Sequence, residues 1–424
     1  MIRPPPMRSD RPPWFIEYGY YVWLFYAIMG VAVGISFPLL GVGLLLMLTV
    51  YCVVHLRSPV FSFYRPIVFP LAAGVSLIAI DFVYHGGSLG ETSPIFVPWL
   101  CHLILTYSLS QRQGFLHRFA LAALLLGICV LPYLNISYNS GTRAGLDREI
   151  SLANPNDLSA WFGFVAVYFA LLGIEGRRDL VRMISFLIAL GCLFVVALTV
   201  SRGPILCGAA ALVVGCRRLL KRGFFPVLIL VILVWAVSVS GVFDKGVVNY
   251  EHRGLEDSGR LVVWPAAIER YLTSPLMGFG LSNLAVPLPG GPPVTPHNSF
   301  LAVALVSGIV PLFFYFGYWW RAARGAFTTN TETSNNAAFE LPLLVYAFLE
   351  AQQLNFPFIS AWIVVTLSSI IAHHSSARAQ VTVRQAAGGR TGNRSGRLIN
   401  VRSALRRGHF TLTPKITELG DRQK

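Results

Sequence analysis

Charged side chains are scarce in this chain of 424 residues, since Asp, Glu, Lys and Arg together make up only 12% of it. A soluble domain of this size carries roughly twice that fraction. Apolar residues make up 54%, and they gather in continuous runs about as long as a bilayer core is thick. The sequence therefore predicts an all-α, polytopic integral membrane protein and argues against a soluble enzyme.

Cysteine is also sparse, and its pattern excludes two further classes. None of the six cysteines pairs with a second cysteine or a histidine at the spacing of metal ligands. The acidic residues form no Asp-x-Asp pattern either. We therefore expect no disulfide framework, no metal site and no cofactor.

The apolar runs predict about 12 transmembrane helices. We expect both termini in the cytoplasm, because most of the 34 Lys and Arg residues then fall on the inner side. This placement explains the net charge of +15 as a topology signal, so nucleic acid is not an expected partner. The predicted spans are 19–36, 39–56, 66–83, 95–110, 115–135, 157–174, 179–200, 204–216, 224–243, 298–320, 339–355 and 357–374.

Three parts follow from this topology. Residues 1–18 form a cytoplasmic lead, and residues 19–374 form the membrane domain. Residues 375–424 are basic and polar, which predicts a disordered cytoplasmic tail. The largest outer loop, 244–297, is expected to bear short amphipathic helices, and the polar residues of interest gather on this outer side.

Arg202 lies in a Ser-Arg-Gly-Pro turn between two apolar runs. An arginine at such a depth is costly and is usually paired or functional. Snorkelling to the lipid headgroups is the alternative, although that would not require the flanking Ser-Gly-Pro.

Arg260 follows a Ser-Gly pair that resembles a helix start. The residues after it, Leu261, Trp264, Ala267 and Ile268, have the spacing of one apolar helix face. Pro265 indicates that the helix begins or bends there. An ordinary interfacial helix with a solvated arginine remains the alternative.

His297 precedes Asn298 where the outer loop enters the next span. A lone histidine is commonly a polar residue at a helix end, but this one shares its side with Arg202 and Arg260. Histidine is the usual general base near neutral pH, and arginine forks bind phosphate oxygens. Such a set suits transfer from a diphosphate leaving group. Asn156 and Asp157 open another span, where capping alone would account for Asn or Asp.

Four motifs occur in order: NPNDLSAW at the start of a span, SRG after an apolar run, GR-x3-W with Pro275, Gly278 and Gly280 following, and HN-x-FL opening a span. Together they resemble the O-antigen ligase and polymerase superfamily, over about residues 150–320. A proline after Trp264 and a compact outer loop depart from the family pattern.

The resemblance implies a membrane glycosyltransferase. Such an enzyme moves a glycan from undecaprenyl pyrophosphate to an acceptor hydroxyl, at the periplasmic face of the bacterial inner membrane, without metal and with inversion. It implies that Arg202 and Arg260 bind the pyrophosphate and that His297 is the catalytic base. Trp264 would anchor the helix and Asn298 would cap or orient beside the histidine, with Asn156 and Asp157 in support.

The acceptor stays open between another glycan, lipid A–core and a different hydroxyl, as does the choice between ligase and polymerase. Membrane lipid is an expected partner, and polysaccharide assembly and chain-length proteins are further candidates. The rival from another class is a transporter or flippase of lipid-linked oligosaccharides. A transporter would place polar residues along a central path, whereas this chain gathers them at one surface.

Overall fold

The protein is seen in a computed structural model that describes residues 13–30, 38–55, 67–87, 89–137, 143–146, 152, 154–176, 178–220, 260–288, 292–328, 337–354 and 360–389. Thirteen α-helices occupy these ranges. In chain order they are α1 Trp14–Met29, α2 Pro38–His55, α3 Val68–Tyr84, α4 Leu89–Leu109, α5 Phe115–Val130, α6 Pro155–Glu175, α7 Asp179–Leu198, α8 Arg202–Leu220, α9 Arg260–Thr273, α10 Ser299–Ser307, α11 Ile309–Thr328, α12 Ala337–Ala351 and α13 Ala361–Gly389.

The helical class and membrane character predicted from the sequence are confirmed. Three helical segments are long and apolar enough to cross a membrane, namely Phe115–Tyr133, Pro155–Glu175 and Asp179–Leu198. Shorter apolar helices accompany them at Leu40–Val54, Val68–Tyr84, Phe96–Leu109, Arg202–Cys216 and Ala361–Ser375. The count of 12 spans is not confirmed, and the predicted span 224–243 lies outside the described residues.

One predicted span, 298–320, is two helices rather than one. Gly308 separates α10 from α11 with φ 77° and ψ −159°, a conformation that only glycine adopts without strain. The carbonyls at the end of α10 that have no partner within the helix accept hydrogen bonds from the preceding loop. Leu305 O accepts from Phe279 N at 2.6 Å and Val306 O accepts from Gly280 N at 2.9 Å.

A short antiparallel hairpin interrupts the all-helical pattern between α5 and α6. Strand β1, Leu134–Ser137, pairs with β2, Arg143–Leu146, so that Leu134 faces Leu146. The sequence did not predict it, because strands of four residues leave too short an alternation to be recognised.

Helix α6 is the centre of the bundle. Nearly all of its residues from Leu158 to Gly173 are buried, as expected for a helix that is apolar on every side. It packs against α5, α7, α8 and α12, and α8 packs in turn against α12. The Tyr346 hydroxyl of α12 donates to Ala160 O of α6 at 2.9 Å, which fixes the two helices in register.

One end of the bundle carries an ion cluster around the buried carboxylate of Glu17. Glu17 of α1 accepts from the guanidinium of Arg118, and its second oxygen lies 2.9 Å from Nη1 of Arg112. The Tyr21 hydroxyl also donates to Glu17, at 2.9 Å. The start of α1 and the α4–α5 turn therefore meet at one end, as the alternating topology requires.

Candidate functional site

Five helix ends meet at the opposite end of the bundle and form the candidate site. They are the N-termini of α6, α8, α9 and α10 and the C-terminus of α12. Side-chain hydrogen bonds join these ends to one another. Segments that are far apart in the chain are thus brought to one place, so the site exists only in the folded protein.

The turn before Arg202 is strained and tied to α6. Val200 has φ 52°, a left-handed conformation that is unusual for a β-branched residue. The hydroxyl of Ser201 donates to Oδ1 of Asn156 at 3.0 Å. Strain of this kind persists only where the surroundings enforce it, and it is concentrated at functional sites.

The Arg202 turn also packs against the end of α12. The side-chain amide of Gln353 packs directly over Gly203, so a β-carbon at position 203 would displace that amide. The same amide donates from Nε2 to the Cys207 sulfur, one turn further along α8, at 3.0 Å. The start of α8 is therefore held against Gln353 at two positions.

Arg260, the first residue of α9, reaches the same amide. Its Nη2 donates to Oε1 of Gln353 at 3.4 Å. Burial lowers the pKa of Arg260, whereas the negative charge of Glu350 opposes that shift. The guanidinium is thus half-buried and stays charged, since even a lowered arginine pKa leaves it protonated at neutral pH.

His297 stands where the outer loop enters α10, with φ 44°, in the left-handed region. Burial lowers its pKa, and the nearby positive charge of Arg260 lowers it further. The imidazole is therefore neutral at pH 7, the state in which it can accept a proton. The influence of Arg260 also shows that these two predicted site residues are close in space.

The residues on either side of His297 hold it in place. On one side, Trp264 Nε1 of α9 donates to Pro296 O at 2.8 Å. On the other, Oδ1 of Asn298 caps α10 by accepting from Phe300 N and Leu301 N at 3.0 and 3.2 Å. Nδ2 of Asn298 donates to Oε1 of Gln352 at 2.7 Å, which ties the cap to α12.

The loop between α9 and α10 is clamped at its start. Gly278 has φ 67° and lies so close to α10 that a β-carbon would sit 2.6 Å from Leu305 O. Asp81 of α3 accepts from Leu281 N at 2.7 Å. His85, the residue after α3, has its Nε2 2.8 Å from Met277 O. The glycines of the P-x2-G-x-G motif thus serve close backbone approach.

Arg270 secures the loop from α9. Its Nη1 donates to Ala285 O, and its guanidinium lies over the ring of Phe279, 4.6 Å from the centroid. An isolated antiparallel bridge then joins Val286 to Val294. The loop that delivers His297 is therefore fixed at several points along its length.

Glu350 of α12 is fully buried beside this cluster. Cys207 and Tyr346 lie next to it, and it is within electrostatic range of Arg260 and Asp157. Among the described residues neither carboxylate oxygen accepts a hydrogen bond of normal geometry.

The predicted site residues are thus largely brought together. Arg260 and His297 interact electrostatically, and the Arg202 turn shares Gln353 with Arg260. Asn154, rather than Asn156, caps α6, because Oδ1 of Asn154 accepts from Asn156 N at 2.9 Å.

The apolar face predicted for α9 is partly wrong. Val263 and Ala267 form its buried side, and Ile268 is exposed. Trp264 is half-buried, and its indole N–H donates to Pro296 O. The side chain of Leu261 lies outside the described residues.

Sequence reasoning missed Glu350, Gln352, Gln353, Asp81 and Arg270. A glutamate followed by two glutamines inside an apolar run was a usable signal for the first three, because an ionisable residue in a membrane helix is costly. Asp81 gave the same signal in α3. Arg270 gave none beyond its charge.

The site has two arginine-bearing segments and a neutral imidazole at one end of an apolar helical bundle, as a membrane enzyme acting on an anionic substrate would require. Residues 184–316 match the family model described as O-antigen ligase. The match lies within the stretch that carries the motifs and confirms their resemblance to the O-antigen ligase superfamily. No curated protein matched the chain. The family match and the apolar helices together indicate a membrane protein with glycosyltransferase or ligase activity.

Proposed function

We propose that this protein transfers a glycan from undecaprenyl pyrophosphate to an acceptor hydroxyl at the periplasmic face of the bacterial inner membrane. The observation that carries the proposal is the meeting of Arg260, His297 and the Arg202 turn at the end of α12. A diphosphate needs cationic forks and an incoming hydroxyl needs a base, and the residues meet both needs.

In the proposed reaction, the acceptor oxygen attacks the anomeric carbon of the donor sugar from the face opposite the diphosphate. The bond between that carbon and the diphosphate oxygen breaks, and the configuration inverts. The acceptor proton passes to His297, and the leaving undecaprenyl pyrophosphate keeps the electron pair. Arg202 and Arg260 stabilise the charge that develops on it.

Metal ions have no required role in this proposal, since two guanidinium groups neutralise the leaving group. Transfer in washed membranes should therefore persist when a chelator is present. Loss of transfer that returns on adding a divalent cation would contradict this part of the mechanism.

Substitution of His297 is the direct test. His297→Ala should abolish transfer and leave the amount of protein in the membrane unchanged. His117→Ala is the matched control, because His117 contacts Tyr168, about 18 Å along α6 from Asn156. Normal product from His297→Ala would refute the role of His297 as base. Arg202→Lys should also be impaired, because a point charge cannot reproduce the arginine fork.

Deletion of the gene distinguishes the possible acceptors, with surface polysaccharide analysed on a gel. Loss of long chains with a single-repeat product remaining indicates a polymerase. Accumulation of lipid-linked polymer with bare lipid A–core indicates a ligase. An unchanged polysaccharide profile would oppose both.

A further inference from the structure

Two adjacent glutamines directly follow Ala351, the last residue of α12, and each contacts a different part of the candidate site. Gln353 contacts Arg260, Cys207 and the Gly203 backbone. Gln352 accepts from Asn298, the residue after His297, at 2.7 Å. Backbone hydrogen bonds from Gln352 N to Leu349 O and from Gln353 N to Glu350 O form a turn that fixes both residues at the end of α12.

We propose that Gln352 and Gln353 are positioning residues: Gln353 sets Arg260 and the Arg202 turn for the donor diphosphate, and Gln352 sets His297 for the acceptor hydroxyl. The inference rests on the proposed function and adds to it the element that brings the binding residues and the base into register.

Neutral amides suit this role better than charged groups. Gln353 accepts from Arg260 through Oε1 and donates to Cys207 through Nε2, so it bridges α9 and α8 with one planar group. A carboxylate there would pair with Arg260 and compete with the diphosphate for it. An amide holds the guanidinium by one long hydrogen bond of 3.4 Å, which leaves its remaining donors for phosphate oxygens.

Gln352 has a simpler task, because its acceptor oxygen alone faces Asn298, while its Nε2 donates back to Phe348 O at the long distance of 3.5 Å. A glutamate at this position would keep that acceptor, whereas an alanine would remove it. The two neighbours should therefore respond differently to the same substitution. At position 352, Glu should be tolerated better than Ala. At position 353, Glu should impair donor binding.

The first measurement is binding of inorganic pyrophosphate by the purified full-length protein in detergent. Gln353→Glu should weaken binding at least tenfold, and Gln352→Ala should bind as the wild type does. Gln113→Glu is the charge-matched control, because Gln113 is exposed at the α4–α5 turn, away from the site. Pyrophosphate affinity of Gln353→Glu equal to that of the wild type would overturn the inference.

The second measurement is transfer in membranes, normalised to folded protein. Gln352→Ala should lower the rate at least tenfold at saturating donor, and Gln352→Glu should restore most of it. If both substitutions at 352 reduce only the amount of folded protein, the role is structural and the inference fails. A wild-type protein that transfers glycan but does not bind pyrophosphate would also overturn it. A wild-type protein that does neither would refute the proposed function itself.

Discussion

Replacement of Gly278 by alanine tests the clamp that positions the outer loop. Gly278 has φ 67°, and a β-carbon there would lie 2.6 Å from Leu305 O and 2.8 Å from Ser307 N, both backbone atoms that cannot move aside cheaply. The positive φ alone costs about 1–2 kcal/mol. Displacing the loop would also break the hydrogen bonds of Phe279 N and Gly280 N to α10, about 0.5–1.5 kcal/mol each. We expect a total of about 2–5 kcal/mol.

Two matched substitutions separate these contributions. Gly86 has φ 65° but open space around it, so Gly86→Ala should show the cost of the backbone conformation alone. Gly191 lies inside α7 with nothing near its missing β-carbon, so Gly191→Ala should be neutral or stabilising by about 0.5–1 kcal/mol.

The assay is thermal unfolding of each purified variant in the same detergent. Gly278→Ala should unfold at the lowest temperature, Gly86→Ala at an intermediate one, and Gly191→Ala at or above the wild type. If Gly278→Ala unfolds at the temperature of Gly86→Ala, the contact between the loop and α10 does not contribute to stability. Close backbone approach would then not be the reason for the glycines of the P-x2-G-x-G motif.

Two further predictions concern His297 and Trp264. Burial and Arg260 both lower the pKa of His297, so the rate of transfer should fall on acidification with a midpoint below pH 6.5. In a pH–rate profile, Arg260→Gln should move that midpoint upward. A midpoint unchanged by Arg260→Gln would contradict the electrostatic coupling. Trp264→Phe removes the 2.8 Å bond to Pro296 O and should cost about 1 kcal/mol of stability, with a larger proportional loss of transfer rate per folded molecule. Equal losses in both would indicate that Trp264 only stabilises the fold.

Helix positions could be predicted from the sequence because apolar runs are local signals. The predicted span 179–200 is helix α7, Asp179–Leu198, and the predicted span 157–174 falls within α6, Pro155–Glu175. The break at Gly308 could not be predicted, because the carbonyls of Leu305 and Val306 before it accept from Phe279 N and Gly280 N, which lie 26 residues earlier in the chain. A periodicity argument carries no information on such a distant partner.

In the candidate site, too, local motifs could be recognised in the sequence and distant contacts could not. Arg260 and His297 were recognisable because each motif is compact in sequence. Gln353 was not, since its partner Arg260 is 93 residues away and the apolar run around Gln353 indicates only a helix. The orientation of α9 was partly mispredicted for a related reason. Trp264 bonds to Pro296, 32 residues further along the chain, and the helical spacing does not reveal so distant a partner.

The bridge between Val286 and Val294 has a consequence for how such proteins can diversify. Val286 N donates to Val294 O at 2.8 Å and Val294 N donates to Val286 O at 2.9 Å. These two hydrogen bonds hold the two valines side by side. Arg270 secures the residue before the bridge, and Trp264 secures Pro296 after it. Residues added between the two bridged valines would leave the bridge in place, at a modest cost in loop-closure entropy. We expect this stretch of sequence to accept insertions that recognise different acceptors while His297 keeps its position.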